Sequence, residues 1–144
     1  MPFGTREIQK IISHPLPIMS NSKKNNRDIG NQGEEIAVSY LESKDYTILE
    51  RNYFFERAEV DIVAYKGTEI IFVEVKTRSG LGYGNPEDAV TKAKQKSIFK
   101  ASEAWLYERK MEGAPVRFDV ISILMNGSAA PDIKHFENAF WYGD

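Results

Sequence analysis

Ala58-Glu59-Val60-Asp61-Ile62-Val63-Ala64-Tyr65 and Ile70-Ile71-Phe72-Val73-Glu74-Val75-Lys76, joined by Lys66-Gly67-Thr68-Glu69, decide the fold. The second run is nearly continuous in Ile, Phe and Val, as in a buried strand. Gly67 supplies the positive φ that a hairpin turn favours. With the turn centred between Gly67 and Thr68, Lys66 faces Glu69 and Tyr65 faces Ile70. Continued along the ladder, the same register sets Asp61 opposite Glu74 and Glu59 opposite Lys76. Side chains alternate faces with period two, so Glu59 and Asp61 share a face, as do Glu74 and Lys76. Directly opposed residues hold their Cβ atoms about 4.5–5.5 Å apart. Three carboxylates and one ammonium therefore crowd one patch of sheet, and a slip of one residue would disperse them.

Facing carboxylates repel, and the flanking Ile70, Ile71, Val73 and Val75 imply burial, where charge must be paired or bind metal. A hard divalent cation held by carboxylate oxygens satisfies both conditions, and Mg²⁺ (or Mn²⁺) suits such a site together with waters and a substrate phosphate. Lys76 stands where it can hold a phosphate or orient an attacking water. The competing reading is a solvated strand pair whose Glu and Lys form ordinary cross-strand ion pairs.

The rest of the chain supplies the setting. Its 144 residues suit one domain, with residues 1–27 as an N-terminal tail and 28–144 as the folded unit. The tail holds Pro2, Pro15, Pro17 and the polar run Ser20–Arg27, and Met19 is an alternative translation start. Its Lys23, Lys24 and Arg27 read as a solvated charge run more readily than as phosphate contacts. There is no cysteine, hence no disulfide and no thiolate metal site. No apolar run is long enough to cross a membrane and no signal peptide opens the chain, so a cytoplasmic location is expected. The net charge of −2 argues against broad non-specific DNA affinity and confines any nucleic-acid contact to a local patch.

A helix capped by Asp28 or Asn31 and running to about Lys44 carries Ile29, Ile36, Ala37, Tyr40 and Leu41 on one face. Glu34 falls at the edge of that face, about 20° beyond Leu41, where it can lean toward the sheet. A first-turn acid complementing the helix dipole is the plainer explanation. Tyr46–Asn52 reads as a strand. Thr77–Pro86 is a glycine-rich loop in which Arg78 is a phosphate contact and Tyr83 a loop anchor or base-stacking residue. Asn85 caps a second helix, with Pro86 at its first position, Glu87 and Asp88 in its first turn and an end near Lys110. Ala89, Val90, Ala93, Ser97, Ala101, Ala104 and Trp105 form its buried stripe. From Lys76 to Lys100 six cationic residues stand against Glu87 and Asp88 alone, and Lys92, Lys94, Gln95 and Lys96 are the candidate nucleic-acid contacts. Val116–Leu124 is a strand and Ile133–Phe136 an edge strand. Asp119 reads as a structural partner of Arg117, and His14 and His135 as ordinary histidines without metal-ligand companions.

Asp61, twelve residues, then Glu74-Val75-Lys76 resembles the PD-(D/E)XK nuclease signature. Gly30-Asn31-Gln32-Gly33-Glu34, Arg51-Asn52, Glu59-Val60-Asp61-Ile62, Phe72–Arg78, Gly84-Asn85-Pro86, Lys94-Gln95 and Arg117-Phe118-Asp119-Val120 occur in the order seen in the YraN family of bacterial endonuclease-like proteins. The family usually has glycine where this chain has Ala58. The resemblance implies an α/β, restriction-endonuclease-like fold with a central mixed β-sheet flanked by helices. It also implies DNA phosphodiester hydrolysis with Mg²⁺ or Mn²⁺ as cofactor. Asp61, Glu74, Lys76 and Glu34 become the catalytic residues, and Asp61, Glu74 and Glu59 the metal ligands. Similar acidic-helix sites in archaeal Holliday-junction resolvases suggest branched DNA as substrate, and a resolvase needs two sites, hence a homodimer. A nucleic-acid-binding module that keeps the acidic cluster without catalysis, and more weakly a protein-interaction domain using the aromatic C-terminus, are the alternatives.

Overall fold

The turn at Gly67, whose φ is +64°, sets the hairpin in the expected register, with Lys66 opposite Glu69, Tyr65 opposite Ile70 and Ile62 opposite Val73. The computed structural model describes residues 26–79, 90–127 and 129–142. Their elements run α1 (Asn26–Ser43), β1 (Thr47–Phe55), β2 (Ala58–Lys66), β3 (Glu69–Ser79), α2 (Lys92–Glu108), β4 (Val116–Met125) and β5 (Asp132–Phe140). The strands form one five-stranded sheet in the order β1-β2-β3-β4-β5. Only β3 and β4 pair in parallel, as their connection through α2 requires. The described residues are thus α/β, with a mixed central sheet flanked by two helices, consistent with a restriction-endonuclease-like fold.

Each face of the sheet buries its own apolar cluster. Ala37 and Leu41 of α1 lie on Ile62, Ala64, Ile71, Val73, Ile121 and Ile123. On the other face Ile98, Ala101, Trp105 and Leu106 of α2 lie with Val63, Ile70, Phe72 and Phe118. Trp105 meets Phe72 edge-on at 5.9 Å, and its indole Nε1 donates to Glu50 Oε1 at 2.7 Å, so the largest core side chain leaves no polar atom unsatisfied.

Several features differ from the sequence expectation: β1 runs on to Phe55, β3 continues through Thr77–Ser79 where a loop was expected, and α1 takes in Asp28 and Asn31 instead of being capped by them. Among the described residues α2 begins at Lys92, not near Pro86, and its cap is Thr91, whose hydroxyl accepts from the Lys94 amide at 3.1 Å. Its buried stripe is correspondingly rotated: Ala93 is exposed, and Ile98 and Trp105, with far more apolar area to hide, set the phase. The last strand extends to Phe140 because the Asp119 carboxylate accepts from the Asn138 amide at 2.9 Å and holds its far end. Asn26 and Arg27, assigned to the tail, are the first residues of α1. The glycine-rich loop from Gly80, Tyr83, Asn85–Asp88, Ala89, His14 and the cationic residues Lys23 and Lys24 lie outside the described residues.

Past Ile62 and Val73, β2 and β3 part. Backbone pairing between them stops there, while β3 continues beside β4 as far as Ser79. Strict alternation also lapses in β2, since Val60 and Val63 serve one core cluster and Ile62 and Ala64 the other. Asp61 sits at this lapse.

Candidate active site

The carboxylates collect where the two strands diverge. Asp61 Oδ2 accepts a hydrogen bond from the Val75 amide at 2.8 Å, replacing the backbone rung that the parted ladder lacks. Glu59 lies two residues earlier on β2, and Glu34 approaches from α1. One oxygen each of Glu34, Glu59 and Asp61 fall within 4.8 Å of one another. Glu74 lies outside that tight trio but remains close enough for its charge to act on Asp61. The expected cross-strand pairs Asp61–Glu74 and Glu59–Lys76 are not formed: the ladder ends at Ile62 and Val73, and Asp61 bonds the Val75 amide while staying close enough to Glu74 to feel its charge.

Two local devices bring Glu34 to the sheet. Gly33 packs so closely on β3 that a Cβ there would fall 1.8 Å from Thr77 Oγ1, so only glycine lets this turn of α1 approach. Asn52 then takes φ +52°, a conformation asparagine tolerates better than most residues, and its side chain hydrogen-bonds Glu34. Glu35 points outward as expected and pairs with Arg51 at 2.7 Å.

Glu74 is buried, with its side chain 6% exposed. Its Oε1 has two ammonium neighbours, Lys76 Nζ at 3.7 Å and Lys94 Nζ at 3.8 Å. These are ionic contacts, too long for hydrogen bonds. Its Oε2 is buried with no hydrogen-bond partner. Burial pushes all three central acids upward. For Asp61, held well above the usual carboxylate range, burial is reinforced by the charge of Glu74 and then opposed by the Val75 amide, with Glu34 and Glu59 adding to the rise. For Glu74 burial outweighs Lys94 and then Lys76. For Glu34 it outweighs the Asn52 hydrogen bond and Arg51.

A family model described as "Uncharacterised protein family UPF0102" matches residues 33–123. The chain belongs to the UPF0102 family. This is the YraN family that the motif order indicated, and the match takes in every site residue named above, from Gly33 to Lys94. Relatives called UPF0102 protein agree over most of their length. One from Geotalea uraniireducens is 46% identical over 121 residues, covering 84% of this chain and 95% of the relative. One from Geobacter metallireducens is 50% identical over 115 residues, covering 80% and 93%. One from Chlorobium phaeobacteroides is 44% identical over 117 residues, covering 78% and 92%.

The remaining candidates of this UPF0102 chain are placed as follows. Lys92 and Lys96 are exposed on α2. Gln95 donates its side-chain amide to the Val90 carbonyl at 3.0 Å, so it fastens the start of the helix. Arg78 is half-buried near the end of β3. The sequence reading missed the supporting role of Asn52 and the reach of Lys94 into the carboxylates. For Asn52 the signal was its place in the Arg51-Asn52 motif; for Lys94 there was none short of packing α2 on the sheet. A second buried network contains the expected Asp119–Arg117 pair and adds His135 and Tyr40, which the sequence reading missed. Asp119 takes Arg117 in a two-pronged contact, with both distances 2.8 Å, and meets His135 Nε2 at 2.7 Å. His135 Nδ1 in turn lies 3.2 Å from the Tyr40 hydroxyl. No helix among the described residues is long and apolar enough to cross a membrane.

Proposed function

We propose that this protein is a metal-dependent nuclease that hydrolyses DNA phosphodiester bonds. The observation that carries the reading is Glu74 Oε2, a buried carboxylate oxygen with no partner, next to an Asp61 that already feels its charge. Leaving such an atom unsatisfied costs about 1–3 kcal/mol, more when charged. A cation that accepts oxygen ligands removes that cost and the repulsion together.

The residues fit such an ion. All donors are carboxylate oxygens, the hard ligands that Mg²⁺ and Mn²⁺ prefer over softer metals. Asp61 and Glu74 would hold it, with Glu59 and Glu34 as further acidic groups. When bound, the ion lowers the pKa of a water and screens the phosphate. Lys76 meets the negative charge that builds on phosphorus as the water oxygen forms its new P–O bond. The bond to the departing sugar oxygen breaks, that oxygen takes up a proton, and the water releases one to solvent. Lys92 and Lys96, exposed on α2, and Arg78 at the end of β3 track the DNA backbone. Branched DNA is the substrate class to test first, with a homodimer supplying the two sites a junction needs, in the cytoplasm.

A titration of Mg²⁺ and Mn²⁺ against linear, single-stranded and branched DNA tests this, run beside Asp61→Ala and Lys76→Ala. Cleavage should require the ion and fall by roughly a hundredfold or more in each variant. Absence of cleavage throughout, or cleavage indifferent to both substitutions, overturns the proposal. Binding with a steep salt dependence but no cleavage would favour the non-catalytic binding module instead.

A further inference from the structure

Glu74 is approached by two ammonium groups from different elements. Lys76 Nζ at 3.7 Å and Lys94 Nζ at 3.8 Å both address the same oxygen, Oε1. The two lysines are held differently. Lys76 belongs to β3 itself, with its backbone in register opposite Ser122 of β4. Lys94 comes from a separate element, the first turn of α2. That turn is fixed by the Thr91 cap and by the Gln95 side chain on the Val90 carbonyl. Its Cα is thus anchored while its ammonium rides on a four-carbon stem, and its side chain is the more open of the two, at 37% exposed against 28%.

A divalent ion at Glu74 brings two positive charges beside two more. The repulsion falls most easily by releasing the ammonium that is closer to solvent. We propose that Lys94 is a place-holding counterion: it neutralises Glu74 until a divalent cation takes that carboxylate, and is then freed to bind a phosphodiester of the nucleic acid. Ion and nucleic acid therefore bind cooperatively, each tightening the other by the same factor, as linkage requires. This rests on the nuclease reading for the identity of the second ligand. The place-holding half rests on the two distances and on the proposed ion site, and not on hydrolysis.

The test is Mn²⁺ affinity of the full chain, measured by calorimetry and by the paramagnetic resonance of free Mn²⁺. It is run with and without a phosphorothioate-substituted DNA duplex that resists hydrolysis. In the wild-type protein the duplex should tighten Mn²⁺ binding. Lys94→Met, an exchange on a partly exposed helix position, should bind Mn²⁺ about tenfold more tightly without DNA, because a nearby like charge is gone. It should then gain little when the duplex is added. Lys94→Arg should restore the coupling. A Lys94→Met protein that binds Mn²⁺ no more tightly than wild type without DNA overturns the proposal, even if the wild type cleaves DNA. Loss of the nuclease reading alone would look different: no cleavage by any variant, with the tightening by Lys94→Met intact. Failure of Mn²⁺ to bind either protein would overturn both.

Discussion

The carboxylate of Asp61 is hydrogen-bonded to the backbone of Val75, Oδ2 to amide N at 2.8 Å, across the gap where β2 and β3 part. One side chain thus closes the open edge of β3 and stands beside Glu74 at the same time. The arrangement stores repulsion, because burial and the Glu74 charge hold the Asp61 carboxyl well above its ordinary range. An acid whose folded pKa lies above its unfolded value favours the fold below the unfolded pKa and loses that advantage as pH rises through the folded pKa. Asp61→Asn keeps an acceptor for Val75 and removes the charge. The metal-free variant should be more stable than wild type by about 1–2 kcal/mol at pH 8. The difference should shrink toward zero as the pH falls to about 4. Urea unfolding in the presence of a chelator, repeated across that range, measures it. A variant less stable than wild type at pH 8 would mean that the aspartate is not under strain.

Gly33 and Thr77 form the contact that seats α1 on the sheet. Gly33→Ala should destabilise by about 1–3 kcal/mol through overpacking. It should also weaken Mn²⁺ binding by withdrawing Glu34. Of the three close atoms two, Oγ1 and Cγ2, belong to the part of Thr77 that Thr77→Ala deletes. The double variant should therefore recover part of the loss, giving a coupling energy of about 0.5 kcal/mol or more in a double-mutant cycle. Strict additivity would place the damage elsewhere.

At Asn52 backbone and side chain can be separated. Glycine accepts φ +52° and loses only the hydrogen bond to Glu34; alanine loses the bond and strains the backbone. Asn52→Gly should unfold near the wild-type midpoint and bind Mn²⁺ several-fold more weakly, whereas Asn52→Ala should also lose about 1 kcal/mol of stability. Equal stability of the two variants would show that the left-handed backbone at Asn52 costs nothing.

Much of this site was legible because the hairpin carries its own ruler. Gly67 fixes the turn, and the turn fixes the register as far as Ile62 and Val73, which leaves Asp61 and Glu74 each one residue beyond the last pair. What the ruler could not show is that the ladder ends at Ile62 and Val73, where the side-chain alternation of β2 lapses and β3 runs on beside β4 alone. The start of α2 was misplaced because Asn85-Pro86-Glu87-Asp88 offers strong helix-start chemistry, while the cap used by the described helix is the less conspicuous Thr91. Lys94 could be read as cationic but not as a neighbour of Glu74, since helix packing alone brings them together. His135 looked ordinary because Asp119, its partner, lies sixteen residues away on the adjoining strand.

The Asp119 network should behave oppositely to the Asp61 cluster. Burial alone would raise the Asp119 carboxyl, but His135, Arg117 and the Asn138 amide outweigh it and hold the group below its ordinary range. Its stabilising effect is present above the unfolded pKa near 4 and is lost as pH falls through the lower folded value. Asp119→Asn takes from the largely buried Arg117 its two shortest ionic contacts, leaving Tyr46 and the longer contacts with Glu69 and Glu137, and should cost about 1–3 kcal/mol at pH 7. Guanidinium unfolding at pH 7 and below pH 3 should show a large gap in the first case and a much smaller one in the second. A gap that does not change with pH would remove the ionic explanation.

The central claim is that the carboxylates gathered where β2 and β3 diverge hold a divalent cation. Anomalous diffraction from a crystal grown with Mn²⁺ tests it without assuming any reaction. A peak within coordinating distance of both Asp61 and Glu74, lost in Asp61→Asn, is the expected result. A protein that crystallises with Mn²⁺ and shows no peak there, or one that touches neither residue, would contradict it.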